Sequence, residues 1–62
     1  MSLFYKSTDT HIWKIKEAPA GDKYILFVSG KGENYFDEEP YTSSNDLQKL
    51  IDKAEIVSRE VA

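Results

Sequence analysis

The chain contains no cysteine, and that one absence removes disulfides, thiolate metal ligands and a cysteine nucleophile together. It agrees with a reducing, cytoplasmic setting. Histidine occurs once, at His11, and a lone histidine without cysteine cannot assemble a zinc site. No apolar run approaches the roughly 18 residues of a membrane span, and the first residues lack the basic start and apolar core of a secretion signal. Met1-Ser2-Leu3 has the look of a short leader and carries little weight. Positive charge is scarce as well: 8 basic residues against 11 acidic ones give a net charge of −3, the wrong sign for affinity built on neutralising phosphates.

With 62 residues there is room for one domain. A domain of this size hides only about 60% of the surface its unfolded chain exposes, so stability is marginal unless something reinforces it. No disulfide or metal is on offer. The core must come from Phe4, Tyr5, Trp13, Tyr24, Phe27, Tyr35, Phe36, Tyr41 and the aliphatic residues, with assembly into a homodimer as the expected supplement.

The pattern is organised around Tyr24-Ile25-Leu26-Phe27-Val28, an uninterrupted apolar run bounded by Gly21 and Gly30. A strand with one wet face alternates apolar with polar residues, whereas a continuous run calls for an interior strand. Tyr24, Leu26 and Val28 fall on one side of it, Ile25, Phe27 and Ser29 on the other. Before it, residues 10–17 alternate, with His11, Trp13 and Ile15 on one face and Ile12, Lys14 and Lys16 on the opposite one. Trp13 and Ile15 should face the core. A first strand is expected at Leu3–Lys6, closed by Ser7-Thr8-Asp9, whose side chains favour turns. Ala18-Pro19-Ala20-Gly21-Asp22 supplies a proline and a positive-φ glycine for a hairpin connection.

Gly30-Lys31-Gly32 turns the chain again, and a short strand is expected from Glu33 to Asp37. Asp37-Glu38-Glu39-Pro40 reads as its terminator, because like charges repel and proline offers no amide to a ladder. Ser43 and Asp46 form the S-x-x-D pattern of a capping box, which predicts a helix starting at Ser43. Leu47, Leu50, Ile51, Ala54, Val57 and Val61 then recur on one helical face. The predicted fold is α+β: a three- or four-stranded antiparallel β-meander with one C-terminal α-helix packed on one face.

Each pattern that suggests chemistry has a plainer reading. Ser29-Gly30-Lys31-Gly32 lacks the spacing of a phosphate-binding loop and leads to a strand, so it reads as a hairpin turn. Asp37-Glu38-Glu39 with Asn34 lacks the spaced carboxylates of a calcium loop and reads as a solvated acidic turn. His11 has no scaffold for a hydrolytic triad and reads as a histidine packed beside Trp13. Trp13, Tyr24, Phe27 and Tyr35, with Lys14, Lys16 and Lys23 near them, are the residues that would stack single-stranded bases if the sheet did so; core aromatics are the simpler account. Ile56 falls opposite the helix's apolar stripe and should point to water.

One helix covers one face of a sheet. The other face is left open, and large exposed apolar patches on monomers usually have a use. The expected function is therefore that of a non-enzymatic protein-interaction module, an adaptor, inhibitor or phage or plasmid accessory protein, binding a protein or its own copy. Tyr24, Leu26, Ile25, Phe27, Ile56, Asp37, Glu38 and Glu39 are the candidate contact residues. No catalytic residue, metal, cofactor, small-molecule ligand or membrane contact is expected. The alternative is a nucleic-acid-related role, either through the sheet aromatics or through an acidic surface that mimics nucleic acid.

Overall fold

The computed structural model describes residues 3–61, without the side chain of Val61. Met1 and Ser2, most of the expected leader, and the Val61 end of the helical stripe lie outside the described residues. The chain order is β1 (Phe4–Ser7), β2 (His11–Glu17), β3 (Tyr24–Gly30), a 3-10 turn (Gly32–Asn34), β4 (Phe36–Ser44) and α1 (Leu47–Val61). The strands form a four-stranded antiparallel sheet in the order β1-β2-β3-β4. It is the meander that the short turns demand.

The turns follow their residues. Thr8 Oγ1 accepts the backbone N–H groups of Thr10 and His11, and the Thr8 N–H donates to the His11 carbonyl at 2.8 Å. Between β2 and β3, Gly21 N–H donates to Ala18 O at 2.8 Å and Ala18 N–H to Lys23 O at 2.9 Å. Gly21 has the positive φ, 74°, expected of a glycine at the end of such a turn.

β3 is interior, as its apolar run required. Leu26 and Val28 join Trp13 and Ile15 of β2 and Leu50, Ala54 and Val57 of α1 in one buried cluster, edged by Phe4, Tyr24, Phe36, Leu47 and Ile51. The helix lies over β2, β3 and β4. The Leu26-Val28 side is thereby the covered one, and Ile25 and Phe27 face away from the helix. Ser58 is also enclosed, and its hydroxyl donates to the Glu55 carbonyl at 3.0 Å, so a polar residue in the helical stripe meets its hydrogen-bonding need within its own turn.

Two boundaries differ from the sequence reading. Glu33 lies in the 3-10 turn, and Asp37-Glu38-Glu39-Pro40 lies within β4 instead of ending it. Among the described residues β4 is an edge strand that pairs with β3 alone, so its acids can point to water and Pro40 loses no second ladder. Its register shifts twice against β3, between Leu26 and Phe27 and between Val28 and Gly30, which absorbs the irregular residues as bulges. The helix cap also moves. Ser43 is in β4 opposite Ile25, and Asp46 is itself the cap: its Oδ1 accepts from Gln48 N–H at 3.0 Å and Lys49 N–H at 3.3 Å. Ser44 Oγ, in turn, accepts the Asp46 N–H at 3.0 Å.

Gly30 is a strand residue with a packing role. A Cβ there would land on the Asn34 carbonyl oxygen and within 2.5 Å of the Phe36 ring. The glycine lets the chain fold back on itself at the start of β4.

Candidate interaction face

Strand alternation decides which side chains meet on the helix-free side. Tyr5 of β1 is opposite Lys14 of β2, Lys14 is opposite Phe27 of β3, and Phe27 is opposite Pro40 of β4. These residues form one row across the whole sheet. The next row in one direction holds Ser7, Ile12 and Ser29; the next in the other holds Lys16, Ile25 and Ser43. Ile12, Ile25 and Phe27 are each half-buried, and Tyr5 is 59% exposed.

Among the described residues no second layer of secondary structure covers this face; lysine stems do part of that work. Lys16 Nζ sits 5.2 Å from the centre of the Phe27 ring and 2.9 Å from Glu38 Oε1. Lys16 thus spans β3, capping the aromatic ring and tying β2 to the outer strand. Lys14, between Tyr5 and Phe27, has no carboxylate within ion-pair distance among the described residues. Lys31 extends the basic character to the end of β1, where its Nζ donates to Ser7 Oγ at 2.8 Å.

The candidate residues separate into groups. Ile25 and Phe27 belong to the open face, and Glu38 reaches it through Lys16. Leu26 is fully enclosed and Tyr24 is half-buried against the core under the helix, so both leave the candidate set: the helix chose the Tyr24-Leu26-Val28 side to cover. Asp37 and Glu39 are exposed along β4. Ile56 is 49% exposed on the outer side of the helix, as its position opposite the stripe implied, and the intervening helix and core separate it from Ile25 and Phe27.

The proposed base-stacking set does not share a surface. Trp13 is buried with 2% exposure, Tyr24 is on the helix side, and Tyr35 stands in the turn before β4. Tyr35 Oη donates to Asp37 Oδ1 at 2.7 Å, and that bond, with the nearby negative charge, raises the Tyr35 pKa above the ordinary phenol value. His11 stacks on Trp13 with ring centres 5.9 Å apart and meets Phe36 edge-on at 5.8 Å. Its Nδ1 lies 2.7 Å from Thr10 Oγ1. This is the packed histidine of the sequence reading.

The residues that sequence reasoning left out of the candidate set are Tyr5, Ile12, Lys14, Lys16 and Pro40. The alternation in β2 already placed Ile12 and Lys14 opposite Trp13. What was missing was the strand register that sets Tyr5 beside them, because register is a long-range property that local pattern does not state. Among the described residues no group of three or more His, Asp or Glu side chains stands close enough to hold a metal ion, and no ligand-sized pocket opens. The chemistry available is that of a flat, mixed apolar and basic surface. No family model, curated protein or solved structure matches this chain.

Proposed function

We propose that this chain is a protein-binding module that docks its partner on the helix-free face of the sheet. The observation that carries the reading is the Tyr5-Lys14-Phe27-Pro40 row, flanked by Ile12 and Ile25 and left uncovered in a domain whose helix lies entirely on the other side. Such a surface offers the aromatic anchors that interface centres favour, beside Lys16, whose stem is already held against Phe27. A second copy of the chain is the competing occupant, but two such faces brought together would bury Lys14 of both copies, and Lys14 has no ion-pair partner among the described residues. Base stacking has less support, because Lys16 already occupies one side of Phe27.

The test is position-specific. A photo-crosslinking residue in place of Ile12, irradiated in extract of the source cell, should give protein adducts that are absent when the same residue replaces Lys53 on the outer helix. Adducts of twice the chain's own mass would identify the second copy as the occupant. Adducts at Lys53 alone, or nucleic-acid adducts at position 12, would overturn the reading.

A further inference from the structure

The two edges of the sheet are guarded very differently. β4 carries Pro40, two register shifts and Asp37-Glu38-Glu39, all of them devices that keep an edge from pairing with another chain. β1 has neither proline nor register shift: Phe4-Tyr5-Lys6-Ser7 runs in regular register with β2, and its guards are its four-residue length and Lys6, a cation that an acidic guest would neutralise. Since Thr8 N–H bonds the His11 carbonyl, antiparallel alternation turns the backbone groups of Lys6 and Phe4 toward β2. The N–H and C=O groups of Tyr5 and Ser7 then point out of the sheet, toward the open edge.

Charge is sided in the same way. β1 and β2 carry Lys6, Lys14 and Lys16, the last paired with Glu38, against Asp9 in the turn between them and Glu17 at the far end of β2, and Lys31 reaches the end of β1 through Ser7. The acids of the sheet are concentrated in β4. A free edge with outward backbone groups, an exposed Tyr5 beside it and cations on both faces near it makes a specific demand on whatever binds.

We infer that β1 accepts an extended acidic segment of another protein as an added strand. This rests on the protein-binding reading of the helix-free face and narrows it to one edge and one partner chemistry. Backbone hydrogen bonds to Tyr5 and Ser7 supply affinity, as in other strand-addition complexes. Side chains of the guest that fall on the open face lengthen the Tyr5-Lys14-Phe27 row, and carboxylates meet Lys6, Lys14 and Lys31. A second copy fits less well: β1 against β1 brings Lys6 of both copies together with no acid inside either strand, and β4 as guest is barred by its proline and bulges. Single-stranded nucleic acid brings negative charge but no strand to pair.

The experiment titrates the full chain, followed by amide NMR, with a short proline-free peptide of Glu and Val, its Lys and Val counterpart, and oligothymidylate. The Glu/Val peptide should shift the Tyr5 and Ser7 amides saturably and slow their exchange, with the Lys/Val peptide at least about tenfold weaker. Ser7→Pro should abolish the effect while preserving the dispersed spectrum, because proline on an outward edge position costs the sheet no ladder bond, whereas Ser7→Ala, which equally loses the Lys31 bond but keeps the amide, should retain it. Lys14→Glu should weaken the Glu/Val peptide and leave the fold intact. Equal binding of the two peptides, stronger binding of oligothymidylate, or concentration-dependent shifts of the same amides without peptide would overturn the inference. If Ile12 crosslinks to a partner while no peptide protects Tyr5 or Ser7, the edge proposal falls and the face reading stands; if both fail, both fall.

Discussion

Trp13 shows how one residue can be both the largest part of a core and a local cost. Its indole is enclosed among Ile15, Leu26, Val28 and the helix, and Tyr41 meets it edge-on with ring centres 5.4 Å apart. Its Nε1–H has no hydrogen-bond acceptor among the described residues. A buried donor left without a partner costs about 1–3 kcal/mol, which the burial of so large a side chain outweighs. Trp13→Ala should therefore cost about 3–5 kcal/mol, enough to unfold most of a domain this small. Trp13→Phe loses part of the ring but also the orphan donor, and should cost about 1 kcal/mol or less by urea titration. A Phe variant as damaged as the Ala variant would show that the indole N–H has a partner, such as an enclosed water.

At the scale of elements, legibility followed periodicity. β2 and β3 were readable because alternation and an apolar run are local signals, and α1 because Leu47, Leu50, Ile51, Ala54 and Val57 repeat on one face. β4 was not, because Asp37-Glu38-Glu39-Pro40 breaks every local rule for a strand and is permitted only by an edge position that the sequence does not state. Gly30 looked like a turn residue, yet the close approach of Asn34 and Phe36 is what requires it. The helix start was misplaced by one motif: Ser43 and Asp46 have capping-box spacing, but pairing of Ser43 with Ile25 extends the strand and leaves the cap to Asp46. Asp46→Ala should accordingly cost about 0.5–2 kcal/mol. Ser43→Ala, at an exposed strand position, should change stability by less than about 0.5 kcal/mol. Thermal unfolding of the two variants side by side decides between the caps, since the capping-box reading requires comparable losses at both.

At the scale of the molecule, the arrangement of charge matters more than its sum. The net charge of −3 argues against a phosphate-led partner, yet the lysines of β1 and β2 make one part of the sheet basic and Asp37-Glu38-Glu39 make the outer strand acidic. Of the candidate face, sequence alone supplied Ile25, Phe27 and Glu38; the row that joins Phe27 to Lys14 and Tyr5 needed the register.

Replacing Asp37 by Asn and Glu38 and Glu39 by Gln brings the formal net charge to neutrality and removes the Lys16–Glu38 ion pair. That pair is partly exposed and worth about 0–1 kcal/mol, so the fold should survive, with a melting temperature lower by no more than about 8 °C. The consequences for binding separate the two remaining accounts of the acidic strand. If the acids guard an edge and the partner docks across β1 and the open face, the triple variant should bind that partner at least as well as the parent, while its own chains associate more readily as concentration rises. If instead the acids are the recognised surface, as in a mimic of nucleic acid, affinity should fall by about tenfold or more and its salt dependence should flatten. The first outcome is expected, because β4 is the edge that Pro40 and two register shifts already close, whereas β1 remains free to pair. Sedimentation of the variant and a salt series on the crosslinked partner read out both halves, and a salt-sensitive loss of binding in a stably folded triple variant would transfer the binding site from β1 to β4.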